Sequence, residues 1–235
     1  MDSQLQAKLA TLRQALDLPR PPIALAFVDT PPAGVAAFAE AVPSACAFWR
    51  VAEREVFYAS EQQHLNCPVG VMTMGFQIPP ERRAEADAIV GTMCNLEYIT
   101  LEEARALPTV EKPHRGIVYG PLAQMPVDPD IALFFCRPGQ AMLLAEASGC
   151  VDWTGMGMAA MGRPTCAALP MALRSGKAAL SMGCIGFRVY TQIPDQELLI
   201  AVPGDQLPAL VERLDTIVSA NAALQEFHTG RRASI

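Results

Sequence analysis

Charge is sparse in this chain, and so are the motifs that announce the common enzyme classes. Charged residues make up 18% of the 235 positions, aromatic residues 6%, and there are three histidines. Lysine and arginine number 18 against 24 aspartates and glutamates, for a net charge of -6, so no basic stripe exists to neutralise nucleic-acid phosphates. No stretch approaches the roughly 18 uninterrupted apolar residues that mark a membrane span. The start, Met1-Asp2-Ser3-Gln4, lacks the basic residues and apolar run of a signal peptide. These absences lead us to expect a cytoplasmic chain with neither a membrane nor a nucleic-acid partner. There is also no Gly-x-Gly-x-x-Gly fingerprint, phosphate loop, Gly-x-Ser-x-Gly elbow or His-Glu-x-x-His helix, which removes the usual nucleotide and hydrolase readings. A Cys-x-x-Cys knuckle is missing too, so a compact zinc ribbon is excluded.

What is present is apolar bulk and sulfur. Hydrophobic residues reach 51%, enough for a real core in one compact body, and there are seven cysteines. In a reducing compartment that many thiols point to metal binding or reactivity rather than a disulfide framework, and the odd number resists complete pairing.

Two stretches of the chain also answer one another. Ile23-Ala24-Leu25-Ala26-Phe27 matches Ile131-Ala132-Leu133-Phe134-Phe135, and Cys46-Ala47 matches Cys166-Ala167. A second cysteine follows in each, Cys67 after 21 residues and Cys184 after 18, and Gln77-Ile78-Pro79 and Gln192-Ile193-Pro194 close the match. Four anchors in the same order suggest an internal duplication. The expected fold is mixed α/β, with two related halves, residues 1–113 and 114–235, packed about a pseudo-two-fold axis.

Local patterns fill in the elements. Leu5, Leu9, Leu12 and Leu16 predict an amphipathic helix over residues 3–17, ended by Pro19, Pro21 and Pro22. Strands are expected at 23–29, 55–60, 116–120, 131–136 and 198–202, and helices through 35–42, 81–90 and 140–147. Thr100 and Glu103 form a capping box that starts another helix. Leu207, Leu210, Val211, Leu214, Ile217 and Val218 predict a closing helix, with a polar tail fraying from about Thr229. The Gly- and Met-rich segment 155–162 reads as a loop or lid.

Cys46, Cys67, Cys166 and Cys184 are the candidate metal ligands, because four soft thiolates suit an iron–sulfur cluster such as 4Fe–4S, or zinc. Gly70 and Gly186, beside two of them, would let backbone amides approach a sulfur-bound anion. The competing reading is that these cysteines pack as small hydrophobes, as Cys94, Cys136 and Cys150 are expected to do. His64, three residues before Cys67, opens an alternative in which Cys67 is a nucleophile and His64 its base. Haem is a further option, from Cys67-Pro68, and copper a minor one, from Met72, Met74, Met156, Met158, Met161 and Met182. Met72, Met74, Met156 and Met158, the first two alternating as on a strand, would equally line an apolar pocket for a small molecule, with the cysteines merely packed. A homo-oligomer is the prior for a soluble chain.

Taken together, Pro21-Pro22-Ile23-Ala24, Asn66-Cys67-Pro68-Val69-Gly70, Pro138-Gly139-Gln140-Ala141 and Gly183-Cys184-Ile185-Gly186-Phe187-Arg188 resemble a prokaryotic family of unknown function, domain of unknown function 169 or ArCR. The resemblance spans about residues 5–215, and the last motif is the most distinctive. It carries no established reaction, but implies importance for Cys67, Cys184, Gln140 and Arg188, the latter two as cofactor- or substrate-binding candidates. Cys136 stands where relatives are expected to have a small polar residue. The combined expectation is a metal- or iron–sulfur-binding protein with a redox or cofactor-linked role, its substrate or redox partner unnamed.

Overall fold

The computed structural model describes residues 3–149, 151–153 and 164–234. In chain order its elements are α1 (Ser3–Ala15), β1 (Ile23–Val28), α2 (Ala47–Ala52), β2 (Phe57–Ser60), α3 (Glu61–His64), α4 (Pro68–Thr73), α5 (Pro80–Asn95), α6 (Leu101–Arg105), β3 (Gly116–Pro121), β4 (Ile131–Cys136), α7 (Pro138–Ser148), β5 (Val151–Trp153), α8 (Ala168–Ser175), β6 (Ala178–Ser181), α9 (Ile185–Thr191), β7 (Leu198–Pro203) and α10 (Leu207–Ala233). Proline sits in the first turn of α4, α5, α7 and α10, where the amide it lacks would have had no partner within the helix.

The strands form one sheet in the order β2-β3-β1-β4-β7-β6-β5, antiparallel throughout except for the parallel β5–β6 edge. Its central strands are buried on both faces, and side-chain size alternates with the pleat. Ile23, Leu25 and Phe27 on β1, with Ile131, Leu133 and Phe135 on β4, face a cluster that includes Phe48, Trp49, Leu169 and Phe187. Ala24, Ala26 and Ala132 face the other way, towards Leu9, Leu12 and Leu16 of α1, Leu144 of α7 and Leu210 and Leu214 of α10. The result is three layers, with α1, α7 and α10 on one face and α2, α4, α8 and α9 on the other. Each large apolar side chain fully buried here stabilises the fold by about 1.5–3 kcal/mol.

The registers of the central strands are reciprocal. Ile23 pairs with Leu133, Ala24 with Ala132, and Leu25 with Ile131. Further out, Ile23 pairs with Pro121 on β3 and Ile131 with Pro203 on β7, and each of those prolines leads into a short 3-10 turn.

Three expectations change. Residues 35–43 form no helix; Ala37 instead makes an isolated bridge to Tyr58 beside β2, so a high Ala/Val content was no guide there. Met72 lies in α4 and Met74 caps its end, rather than alternating on a strand. α10 runs on to Ala233, past the expected fraying point, although it buries no side chain beyond Leu214. Because that last stretch is exposed and its final tertiary hydrogen bond joins Asn221 to Glu146, deleting residues 222–235 should change stability by less than about 0.5 kcal/mol. Thermal denaturation checks this, and a large drop in the midpoint would mean that the helix end packs against something.

Candidate metal and ligand site

Each of the four candidate cysteines stands where a helix begins. Cys46 precedes α2, Cys67 precedes α4, Cys184 precedes α9, and Cys166 lies in the 3-10 turn Thr165–Ala167 that runs directly into α8. At two of these starts sulfur does the work usually given to a Ser or Asp oxygen: Cys67 Sγ accepts from the Gly70 N–H at 3.3 Å, and Cys184 Sγ from the Phe187 N–H at 3.4 Å. The approach to Cys67 is so close that a Cβ on Gly70 would stand 2.7 Å from Ala45 Cβ and 2.9 Å from the sulfur, so the position needs glycine. At Gly186 the nearest atom to an added Cβ would be 3.7 Å away on Tyr190, and the packing makes no such demand.

Hydroxyls tie the starts together. Ser44 Oγ lies 3.1 Å from Cys46 Sγ and 3.5 Å from Cys67 Sγ, which makes these two sulfurs neighbours. In the second half Thr165 Oγ1 accepts from the Cys184 N–H at 2.7 Å, bringing that cysteine to the segment of Cys166. α2 packs on α9, and α4 on the Cys166 turn, so the segments of Cys46 and Cys67 meet those of Cys184 and Cys166. All four thiols thereby open onto one cavity of about 990 Å³.

Burial leaves protons on two of them. Desolvation pushes the Cys46 thiol up to about 12, and the Cys166 thiol is also raised, first by desolvation and then by the neighbouring Cys67. Among the described residues, no group of three or more His, Cys, Asp or Glu side chains is gathered tightly enough to hold a single metal ion. The four cysteines line the cavity without forming such a group. None of the six described cysteines is in a disulfide.

The other expected site residues are placed differently. His64 is almost fully buried, with Nδ1 2.7 Å from Ser60 O, Nε2 2.9 Å from Tyr119 Oη, and its ring among Phe48, Phe76 and Tyr119. Both ring nitrogens are thus occupied, and the geometry does not favour His64 as a base for Cys67. Gln140 lies on the far side of the sheet, where its amide receives the Arg137 N–H at 2.8 Å and donates to the carbonyls of Leu16 and Asp17, fastening α7 to the end of α1. Arg188 does not line the cavity either. Its guanidinium donates to the carbonyls of Met182, Ile193, Pro194 and Glu197, bracing the loop that leads from α9 to β7. Cys136 is fully buried in β4, as expected, whereas Cys150, Met156, Met158, Met161 and most of the Gly/Met-rich segment lie outside the described residues. Met72 and Met74 do not line the cavity; Met93 and Met171 do.

The sequence reading missed the outer wall. It consists of α5, α6 and the chain through Pro108, which contribute Ile89, Met93, Leu96, Ile99 and Leu107. A signal did exist in the apolar residues of α5, which follow no clean helical stripe because the helix buries little beyond Ala86.

Comparison with known proteins adds kinship. A family model described as Uncharacterised ArCR matches residues 11–213, a range that contains all four thiols and the whole cavity wall. The chain belongs to that family. It is 31% identical over 177 residues to the uncharacterised protein MJ0308 of Methanocaldococcus jannaschii, which covers 69% of this chain and 71% of the relative. No solved structure matches it significantly. Among the described residues no helix is long and apolar enough to cross a membrane.

The buried histidine makes a prediction. Burial lowers His64 from 6.5 to about 4, so the unfolded chain takes up its proton first as the pH falls. Stability should therefore decline between about pH 6.5 and pH 4, by about 3 kcal/mol from this group. Urea unfolding across that range should show a shallower slope in His64→Gln; an unchanged slope would mean that His64 does not titrate in this way.

Proposed function

We propose that this protein binds an iron–sulfur cluster through Cys46, Cys67, Cys166 and Cys184 and acts in a redox or cofactor-linked role in the cytoplasm. The observation that carries the reading is the convergence of four helix-leading thiols on one cavity. A single zinc ion would require each sulfur within about 2.3 Å of one point. Four thiols that line one cavity without a single-ion site among them are better matched by a group that is itself several atoms across and is held by four cysteines. The positive ends of the surrounding helices and the amides of Gly70 and Phe187 favour negative charge on sulfur. Ser44 would hold Cys46 and Cys67 in orientation through their sulfurs, and Thr165 would hold Cys184 through its backbone amide.

The same reading takes residues 1–113 and 114–235 as two related halves about a pseudo-two-fold axis. It is supported by the strand order, which reads β1-β3-β2 outward on one side of the centre and β4-β7-β6 on the other, where β5 adds one further edge strand. The reciprocal pairing of Ile23 with Leu133 and Leu25 with Ile131 is the pattern that a two-fold axis through Ala24 and Ala132 demands. On this view each half supplies one pair of ligands, and the site exists only where the halves meet.

Anaerobic reconstitution with ferrous iron and sulfide should yield a brown protein with about four iron and four sulfide per chain. Loading should release protons and tighten with rising pH, because burial keeps Cys46 and Cys166 protonated beforehand. Serine at any one of the four positions should abolish or sharply reduce the iron content, while Cys94→Ser should leave it unchanged. A colourless, iron-free product after reconstitution, or iron content that survives Cys166→Ser and Cys184→Ser together, would overturn the proposal. Zinc bound in place of iron would redirect it to a mononuclear site.

A further inference from the structure

The four thiols occupy only the inner wall of the cavity. A volume of about 990 Å³ is at the upper end of what small-molecule sites enclose, and far more than a few sulfurs can use. Opposite the thiols the wall is apolar, built by Ile89, Met93, Leu96, Ile99 and Leu107 from the α5–α6 arm and by Ile185 from α9. This arm has little hold on the rest of the protein. α5 buries one side chain, Ala86, and α6 buries none, so the arm's apolar residues gather at the cavity instead of in the core. The apolar lining also reaches solvent: Leu96 is 73% exposed and Ile185 70% exposed.

Among the described lining residues the one cation is Arg174, at the end of α8. Its ion-pair partner, Glu111, is 3.6 Å away, and both side chains are more than half exposed, so the pair is weak and open to exchange. The lining carboxylate, Glu103, is committed to the Thr100 N–H at 2.7 Å in the capping box of α6. The wall therefore offers a large apolar surface with one available guanidinium, on a chain whose overall charge is negative.

We infer that the cavity binds a small apolar molecule with a single anionic group, its body held between the α5–α6 arm and α9 and its anion at Arg174. The arm gains its packing partner when the molecule enters. This site is separate from the metal reading, since nothing in its recognition requires metal on the thiols.

Metal-free protein provides the test, with two fluorescent probes of nearly the same shape: 1-anilinonaphthalene-8-sulfonate, which is anionic, and N-phenyl-1-naphthylamine, which is neutral. Both should bind saturably, one per chain, with the sulfonate tighter. Arg174→Ala should weaken the sulfonate about tenfold, the scale of a lost charge-assisted hydrogen bond, and leave the neutral probe unchanged. Met93→Trp, at a half-buried position where added bulk enters the cavity, should weaken both probes while circular dichroism and the melting midpoint stay as in the wild type. Equal loss of both probes in Arg174→Ala, or no loss of either, would overturn the anion assignment. Undiminished binding to a folded Met93→Trp variant, or non-saturating binding to the wild type, would overturn the cavity itself. Because no iron is present, these outcomes are independent of whether a cluster assembles.

Discussion

A short antiparallel contact between β1 and β4 governs the geometry of the thiol face. It joins only Ile23 to Leu25 with Ile131 to Leu133, and helices that follow the site cysteines pack on the strands around it, α2 on β1 and β3 and α8 on β4, β6 and β7. α2 meets α9, α4 meets the Cys166 turn, and sulfurs as far as 138 residues apart in sequence, Cys46 and Cys184, open onto one cavity. A slip of one residue in this register would turn Ile23, Leu25 and Phe27 towards the α1 face and put Ala24 and Ala26 under the cysteines. The large-small alternation that blocks such a slip is complete through Ile23–Phe27 of β1 and holds over the paired residues Ile131–Leu133 of β4, beyond which Phe134 breaks it.

The electrostatics of the site follow from the same burial. Placing the helix starts over an apolar sheet removes water from Cys46 and Cys166 and favours their protonated forms, while hydrogen bonds from Ser44 to Cys46 and from Thr73 to Cys166 act the other way. These opposing effects suit thiols that stay quiet when bare and give up protons to a positively charged partner. Beneath them His64 and Tyr119 satisfy one another's polar atoms within an aromatic stack, which keeps the floor of the site rigid without placing a charge in it.

Much of this architecture is legible in the sequence because strand and helix periodicities are local. The β1 and β4 segments are apolar runs, the Thr100–Glu103 box forms as its spacing requires, and the four cysteines picked out by their similar spacing line one cavity. Residues whose roles depend on distant partners were harder to read. Gln140 stands in a distinctive motif, but its contacts are with the end of α1 across the sheet. Arg188 follows Cys184 closely, yet the turn of α9 sends its guanidinium into the loop before β7. The α5–α6 arm went unread because its apolar residues serve a cavity, and a cavity imposes neither the helical stripe nor the strand alternation that a core imposes. In 35–43, Ala and Val favoured a helix on propensity, and pairing beside Tyr58 prevailed.

The central claim is that four thiols from two halves hold one iron–sulfur group. X-ray absorption at the iron edge, on anaerobically reconstituted protein, tests it most directly. The account predicts iron surrounded by sulfur alone in its first shell, with a second shell of iron; a first shell of oxygen or nitrogen, with no iron neighbour, would contradict it.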